Sequence, residues 1–415
     1  VSGLEVKTFK APGFRIIRDA PPTAPVGPGR TQLFTEEPAG QVTATFGYAG
    51  INTTGAGITP GFVIPRELIE NNPKVVKDLE RFYNLEPGTL KPTDIKDPNL
   101  IAAIRKAADE DPNHWFHISP ECQRCARPDM RPLGERLDDP DAVLVKSDYD
   151  DAKAIIRIVE ESEPPVVTLE NHPLYQRRIY RLEDGSEFQP IDEITKALEA
   201  KGYAVNVKVF NAADYGGASS RERMILRAVK KEDLVVDGVA KPFDEVYPMP
   251  DKTGPSDWWD TLKPLMDEAE DMKVAASLDR TLRDMIRADN RIARPTADAP
   301  LYYSGGNLVG NRPAYRKFIA SKGREGSLPT PGGGIKSSGV DQPVAAPALT
   351  RGKQTASIMY LDANDKWVRK KLSNNMMKRL MGLGDEFPLE AGMKYGDAAD
   401  ILGNGMHGST TQAGI

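Results

Sequence analysis

Several kinds of residue and segment are scarce in this chain, and each scarcity excludes a class of protein. Two cysteines among 415 residues provide no disulfide framework, which fits a reducing compartment. There is no run of 18 apolar residues and no charged-then-apolar leader at the start, so we expect a cytoplasmic protein without a membrane span. The net charge of −5 gives no global sign of nucleic-acid binding, and such a role would have to come from a local basic patch.

What is present is the composition of an ordinary globular protein. With 39% hydrophobic and 28% charged residues, the chain can form a well-buried core. Strand-like and helix-like segments alternate from Gln41 to Val229, which predicts an α/β fold with a mostly parallel, Rossmann-like sheet covered on both faces. After Val229 we expect acidic helices from Ser256 to Ala288, followed by a Gly/Pro/Ser-rich tract. The predicted parts are an arm (1–40), a catalytic domain (41–229), a smaller domain (230–350) and a segment that returns to the catalytic domain (351–415).

The stretch from His114 to Asp129 holds both cysteines and two of the four histidines. Residues 115–119 form a predicted strand that Pro120 ends, which places Cys122 at a strand's carboxyl end, where open α/β sheets bind their ligands. Three interpretations compete. The cysteines fill a gap in the core, or they bind zinc together with His114 and His117, or Cys122 is a nucleophile. Strand positions three residues apart face opposite sides, which argues against zinc.

Two further stretches indicate ligand binding. A predicted strand ending at Phe46 runs into the glycine-bearing stretch 47–57, and such a turn lets the backbone approach a nucleotide-like cofactor. The tract 302–350 is either a solvated loop or a surface that contacts phosphates, because it carries many more basic than acidic residues. Its basic residues are Arg312, Arg316, Lys317, Lys322, Arg324 and Lys336.

Taken in order, these stretches resemble the motifs of the DNA (cytosine-5)-methyltransferase family, over nearly the whole chain from Phe46 onward. Eight matches fall in the family's order, and the basic tract lies where the family keeps its target-recognition region. The matching stretches are Phe46-Gly-Tyr-Ala-Gly50, Glu70-Asn-Asn-Pro73, Asp94-Ile95, Pro120-Glu-Cys-Gln123, Glu170-Asn171, Asp214 to Arg223, Leu372 to Phe387, and Gly403-Asn-Gly-Met406.

The resemblance implies a cofactor, a substrate and a role for each site residue. The cofactor would be S-adenosylmethionine, with Glu70 on the ribose hydroxyls and Asp94 on the adenine amino group. Cys122 would add to carbon 6 of a flipped-out cytosine in double-stranded DNA, and Glu170 would hold a proton for ring N3. The remaining implied residues are Phe46, Ala49, Gly50, Asn71, Pro120, Asn404 and Met406 for the cofactor, Arg221 and Arg223 beside the thiolate, and Arg312, Arg316, Lys317, Lys322 and Arg324 for DNA. A monomer is expected.

Departures from the family pattern leave alternatives open. The protein could be an ordinary methyltransferase after neutral drift, or a divergent enzyme with an altered donor group or modified base. Alternatively it could act on RNA cytosine, be a catalytically inactive DNA-binding homologue, or be a zinc-bearing binding module. The departures are Tyr48 and Ile51 in place of glycines, Glu121 in place of proline, His172 in place of valine, Ser219 in place of glutamine, and Gly405-Met-His-Gly408 in place of Ala-Val-Pro-Pro.

Overall fold

A computed structural model gives the fold of this chain, and its described residues separate into two compact units. The first comprises Val1–Phe210, Glu222–Pro250 and Gln412–Ile415, and the second comprises Asn211–Arg221 and Asp251–Thr411. The residues that the structure describes are 42–48, 63–82, 86–120, 142–181, 185–276, 278–280, 282–283, 294–304, 307–310, 318–320, 346–347, 356–384, 387, 389, 393–404 and 407–414. Within these ranges, no helix is both long and apolar enough to cross a membrane.

The first unit contains a six-stranded sheet with the order β2-β1-β3-β4-β6-β5. Strands β1 to β4 pair in parallel, and β6 runs antiparallel to β4. The predicted α/β fold with a mostly parallel sheet is therefore confirmed. The strands are β1 (Val42–Gly47), β2 (Val63–Ile69), β3 (Trp115–Ile118), β4 (Val166–Asn171), β5 (Tyr203–Asn211) and β6 (Glu222–Lys230).

The middle of this sheet forms the core. Every residue of β1 and β3 is buried, as expected for strands covered on both faces. Helices supply apolar side chains at helical spacing, such as Ile104, Ile158 and Leu198, which join one cluster with the sheet. These helices are α1 (Pro73–Phe82), α2 (Asn99–Glu110), α3 (Ala142–Ser162) and α4 (Pro190–Ala200). Smaller elements are the helix Phe243–Val246, the 3-10 turns Pro173–Arg177 and Lys231–Leu234, and the strand pairs Tyr180–Arg181 with Glu187–Phe188 and Val235–Val236 with Val239–Ala240.

The second unit contains an antiparallel sheet with the order β7-β12-β11-β8-β9-β10. The strands are β7 (Glu270–Met272), β8 (Leu301–Ser304), β9 (Asn307–Gly310), β10 (Phe318–Ala320), β11 (Ser357–Leu361) and β12 (Trp367–Lys371). The helices are α5 (Trp258–Leu262), α6 (Asn374–Leu380), α7 (Tyr395–Asn404) and, as far as Thr411, α8 (Gly408–Gly414). The unit also has 3-10 turns at Ala212–Asp214 and Lys263–Glu268, and Ser219–Ser220 pairs with Ala346–Pro347.

The prediction of acidic helices from Ser256 to Ala288 was right for Trp258–Leu262 and wrong for Glu270–Met272, which form a strand. Helix α5 ends at Leu262, a 3-10 turn follows, and β7 then pairs with β12. Across that pair Lys370 and Lys371 neutralise Asp271 and Glu270, so tertiary pairing overrides the helical preference of the acidic residues. Helical residues resume only at 276, within the described part of this segment. The Gly/Pro/Ser-rich tract, predicted as a loop or a phosphate-contacting surface, contributes β8, β9 and β10.

Candidate active site at the carboxyl ends of the strands

The predicted site residues of the first unit follow parallel strands at one edge of the sheet. Gly47 ends β1, Glu70 follows β2, Ser119 follows β3, and Asn171 ends β4. The amide of Ser119 donates to the carbonyl oxygen of Gly47 at 3.1 Å, which ties the ends of β1 and β3 together. This edge is where doubly wound sheets place their ligands, since the chain turns away there and leaves a crevice.

Three stretches predicted to contact the cofactor lie next to one another. The backbone carbonyl of Glu70 accepts from the amide of Thr93 at 2.9 Å, which places the loop bearing Asp94 beside β2. A methyl group added at Gly47 would lie 3.3 Å from the Cδ1 atom of Ile95, so the same loop also packs against the end of β1. The Glu70 side chain is oriented by the amide of Asn72, which donates to Oε1 at 2.8 Å. The carboxylate of Glu70, just after β2, and that of Asp94, in the adjoining loop, fit the hydroxyl and amino groups of an adenosyl cofactor.

Tyr48 keeps the backbone conformation of a glycine. Its φ of 56° lies in the left-handed region, which explains why a glycine is usual at this position of the resembled motif. Packing against the core of the first unit compensates for this strain. Burial, followed by the neighbouring carboxylate of Asp151, raises the pKa of Tyr48, so the hydroxyl keeps its proton. Asp151 in turn pairs with Lys96 at 2.9 Å.

Glu170 forms a buried ion pair at the end of β4. Its Oε1 atom lies 2.5 Å from Nε of Arg223, and the two side chains are 6% and 7% exposed. Its Oε2 atom accepts a hydrogen bond from the Ser119 hydroxyl at 3.0 Å. A paired, hydrogen-bonded carboxylate in a confined site is the kind of group that can exchange a proton with a bound base.

Asn171 holds the start of the segment that carries Cys122. Its Nδ2 atom donates to the carbonyl oxygen of Pro120 at 3.0 Å, and its Oδ1 atom accepts from the amide of His172 at 2.7 Å. Two adjacent residues of β4 therefore have linked roles. Glu170 supplies the buried carboxylate, and Asn171 holds the chain where it enters the segment that carries Cys122. Cys122 itself lies outside the described residues, together with Ala49, Gly50, Arg312, Arg316, Lys317, Lys322, Arg324 and Met406, and with Ile51, Glu121, Cys125 and the side chain of Asn404.

The two arginines of the predicted site have different partners. Arg223 pairs with Glu170, whereas Nη2 of Arg221, in the second unit, donates to the carbonyl oxygen of Gly403 at 2.7 Å. Gly403 directly precedes Asn404, which the resemblance assigns to the cofactor. The idea that these guanidinium groups favour a thiolate at Cys122 stays a prediction.

Both histidines of the zinc interpretation are bound to hydroxyl groups. His114 lies 2.8 Å from Oγ1 of Thr43 and 3.0 Å from Oγ1 of Thr45, so both its ring nitrogens are engaged. His117 lies 2.7 Å from Oγ1 of Thr168 and 3.1 Å from Oγ of Ser119. Neither imidazole offers a nitrogen to a metal in this arrangement. Among the described residues, no group of three or more potential ligands is placed to hold a metal ion.

Burial sets the charge of these histidines. Desolvation is the largest influence on each of them, lowering the pKa of His114 from 6.5 to about 4 and that of His117 to about 3. Both rings are therefore neutral near pH 7. His117 also packs between aromatic rings, with centroids 6.0 Å from Phe46 and 5.3 Å from Trp115.

Two departures from the family pattern meet inside the second unit. The hydroxyl of Ser219 donates to the carbonyl oxygen of Leu380 at 2.7 Å, and Nε2 of His407 lies 3.0 Å from the same oxygen. A methyl group added at Gly217 would lie 2.9 Å from Cε1 of His407, and one at Gly382 would lie 2.7 Å from it, so both glycines make room for the imidazole. Ser219 and His407 thus satisfy one helix-end carbonyl together and form a structural contact.

Three described cations in or beside the second-unit sheet are paired with acids. Lys370 and Lys371 pair with Asp271 and Glu270, and Arg294 lies 3.1 Å from Asp365. Such pairs leave little net positive charge for phosphates. The predicted DNA contacts depend on Arg312 to Arg324, outside the described residues.

Sequence reasoning missed the residues that surround Glu170. Ser119 and Thr168 had no assigned role, and His117 was considered only as a metal ligand. The sequence did hold a signal for Thr168, because it stands two residues before Glu170 in the same predicted strand and therefore shares its face. Nothing in the sequence showed which residues of the neighbouring strand lie opposite.

Comparison with known proteins identifies the class. The sequence matches the C-5 cytosine-specific DNA methylase family over residues 152–409, more than half of the chain. The chain belongs to that family, and its fold is that of a Rossmann-like methyltransferase.

Solved structures with a similar fold include a putative DNA modification methyltransferase encoded within a prophage of Escherichia coli. It has 14% sequence identity and a TM-score of 0.50, and the alignment covers 90% of this chain and 97% of that chain. The Entamoeba histolytica methyltransferase EhMeth has 14% identity and a TM-score of 0.49, and the alignment covers 89% of this chain and 95% of that chain. Dnmt2 of Schizosaccharomyces pombe has 12% identity and a TM-score of 0.45, covering 90% and 96%. No curated protein sequence matches the chain.

Proposed function

We propose that this chain methylates carbon 5 of a flipped-out cytosine in double-stranded DNA, acting as a monomer through a covalent adduct between Cys122 and carbon 6. The observation that carries the proposal is the buried Glu170–Arg223 pair, next to Asn171, which holds the carbonyl of Pro120 two residues before Cys122. A buried carboxylate adjacent in sequence to the residue that anchors Pro120, where the chain enters the segment bearing Cys122, suits a pyrimidine whose N3 and carbon 6 are both engaged.

The chemistry divides between the two edges of the ring. The thiolate of Cys122 forms a bond to carbon 6, and the electron pair of the double bond between carbons 5 and 6 becomes available at carbon 5. Glu170, which takes up a proton from solvent as the base enters, supplies that proton to N3 as negative charge develops there, and N3 returns it when the thiolate leaves. After the methyl group has been added at carbon 5, loss of the carbon 5 proton to a base or water restores the double bond and expels the thiolate. Extruding the base costs a few kcal/mol, which pocket and phosphate contacts offset.

Among the residues that would hold the methyl donor, Phe46, Glu70 and Pro120 lie at or just after the ends of β1, β2 and β3. When bound, S-adenosylmethionine supplies an electrophilic methyl group on a sulfonium sulfur. We propose that Glu70 binds the ribose hydroxyls, that Asp94 binds the adenine amino group, and that Phe46 packs on the adenosyl moiety. Asn71, Pro120, Asn404 and Met406, with the backbone at Ala49 and Gly50, complete the proposed cofactor contacts.

Recognition of DNA is assigned to the part of the chain after the catalytic strands. We propose that residues 230–350 form the target-recognition domain, with phosphate contacts from Arg312, Arg316, Lys317, Lys322 and Arg324. Residues 351–415 would return to the catalytic domain. Removing these cations should weaken DNA binding on all sequences and reduce its salt dependence.

A trapping experiment tests the covalent step. Duplex DNA containing 5-fluorocytosine forms a stable adduct after methylation, because fluorine at carbon 5 cannot leave as a proton does. We expect a mass shift of one adduct with the wild-type protein and with Cys125→Ala, and none with Cys122→Ala. An adduct retained in Cys122→Ala, or stoichiometric zinc in the purified protein, would refute the assignment. Mass spectrometry of nucleosides after incubation with DNA and with RNA identifies the polymer and the group transferred.

A further inference from the structure

The carboxylate of Glu170 lies at the end of a chain of hydrogen-bonded polar groups, which are buried except for the half-buried Ser119. Nε1 of Trp115 donates to Oγ1 of Thr168 at 2.7 Å, and that oxygen lies 2.7 Å from Nδ1 of His117. Nε2 of His117 lies 3.1 Å from Oγ of Ser119, which donates to Oε2 of Glu170 at 3.0 Å. The chain exists because residues two apart share one face of a strand, and because His117 on β3 is opposite Thr168 on β4.

The two ends of this chain fix its direction. An indole N–H can only donate, and Oε2 of Glu170 accepts from Ser119 whether Oε1 is ionised or carries a proton. The single hydroxyl proton of Ser119 is committed to Glu170, so the serine oxygen accepts from an N–H at Nε2 of His117. A neutral imidazole carries one ring proton, so Nδ1 accepts from the hydroxyl of Thr168. Every group therefore donates toward Glu170, and successive donors polarise one another.

Neutrality of His117 is part of this arrangement. Burial keeps the ring uncharged near pH 7, so it cannot serve as an acid that delivers a proton. Packing against the rings of Phe46 and Trp115 holds it in place. What His117 contributes is orientation: it makes Ser119 a donor toward Glu170.

We propose that His117 and Ser119 are positioning residues for Glu170. Their chain keeps Oε2 as a hydrogen-bond acceptor and leaves Oε1, beside Arg223, as the oxygen that exchanges a proton with the substrate. This inference rests on the proposed function, in which Glu170 serves ring N3. Holding one oxygen fixes the orientation of the whole carboxyl group, and proton transfer depends steeply on that orientation.

Nitrogen-15 NMR of the imidazoles tests the direction of the chain. We expect His117 as the Nε2–H tautomer. His114 provides an internal reference of opposite sense, because Thr43 gives its proton to Asp111 at 2.6 Å and so must accept from Nδ1 of His114. Two buried neutral histidines with opposite tautomers are the expected spectrum. An Nδ1–H tautomer at His117 would overturn the inference, whether or not the protein methylates cytosine.

Kinetics test the consequence for catalysis. Ser119→Ala should lower kcat about tenfold or more while leaving KM for DNA and for the methyl donor near wild type, because a hydrogen bond to a charged group is lost. Ser119→Thr restores the hydroxyl and should recover most of kcat. Thr45→Val is the matched control, since it deletes a buried hydroxyl bound to His114, outside this chain. Equal losses of kcat in Ser119→Ala and Thr45→Val would show that the hydrogen bonds leading to Glu170 have only a structural role.

A pair of variants at His117 isolates its part. His117→Gln offers an amide N–H to Ser119, whereas His117→Leu offers none, so we expect the glutamine variant to keep several-fold more kcat. Equal kcat in the two variants contradicts the role of His117. Wild-type protein that methylates no cytosine would refute the proposed function alone. Wild-type activity with an unchanged kcat in Ser119→Ala would refute the positioning role alone.

Discussion

Two buried histidines three residues apart build chains of the same form at opposite ends of the strands. At the amino end of β3, Thr45, His114 and Thr43 lead to the carboxylate of Asp111. At the carboxyl end, Thr168, His117 and Ser119 lead to the carboxylate of Glu170. Each runs from a hydroxyl through a neutral imidazole and a second hydroxyl to a carboxylate.

The difference lies in what else binds each carboxylate. Asp111 also accepts the backbone amides of Thr43 at 2.9 Å and of Asn113 at 2.8 Å, so its oxygens close a turn against β1. Glu170 has a guanidinium group as its other partner. A carboxylate bound to backbone amides is fixed for structure, whereas one bound to side chains can change partners during a reaction. Burial and neutrality alone would not have separated the two histidines.

The largest expected effect is at the carboxyl end. Glu170→Gln keeps the shape of the side chain but removes its acid–base capacity, so we expect methyl transfer to fall by about 10²- to 10⁴-fold. Initial rates with saturating DNA and donor measure this, and circular dichroism confirms folding. A loss below tenfold would show that Glu170 does not take part in the proton transfer, and its role would then not differ from that of Asp111.

Lowering the pH should reduce the free energy of unfolding through both histidines, His114 and His117, in the same way. The unfolded imidazoles take up protons near pH 6.5, whereas the folded ones stay neutral until about pH 4 for His114 and about pH 3 for His117. The unfolded state therefore binds more protons as the pH falls from 6.5 to 4, and each histidine should cost about 1 kcal/mol of unfolding free energy per pH unit. Urea titrations across this range measure the slope, which His114→Gln should reduce. A slope that is the same with and without His114 would contradict its burial as a neutral group.

A smaller effect is expected at the amino end. Asp111→Asn presents an amide N–H₂ group to backbone N–H donors and should reduce the unfolding free energy by about 1 to 3 kcal/mol. The activity of the folded fraction should stay near wild type, because Asp111 lies at the end of the strands away from the site. Urea midpoints and specific activity are the measurements. A drop in kcat as large as that of Glu170→Gln would contradict the purely structural role of Asp111.

The smallest expected effect concerns the loop after β1. Tyr48→Phe removes only the hydroxyl beside Asp151 and should reduce the unfolding free energy by about 1 kcal/mol. Thermal denaturation measures it. Asp151→Asn is the companion variant, and a double-mutant cycle gives the coupling between the two groups. Additive effects would show that packing alone holds Tyr48 in its left-handed conformation.

Local patterns predicted much of the first unit and little of the second. The strand from Val166 to Glu170 and the helix from Asn99 to Asp109 match β4 and α2 within two residues, because apolar spacing fixes such elements locally. The strands β11 and β12 were missed, since an antiparallel sheet built from short strands depends on distant partners. Ser219 and His407 were recognised as departures from the family pattern. Their shared contact with Leu380 could not be predicted, because the two residues are 188 positions apart in the sequence.

By itself the sequence determined the alternation that gives a parallel sheet, the order of the motifs, and Glu170 at a strand end. Only the tertiary structure decided that His117 belongs with Glu170 and His114 with Asp111. The physical reason is register: side chains on neighbouring strands meet according to how the backbones pair, and one residue of slip would turn each to the other face.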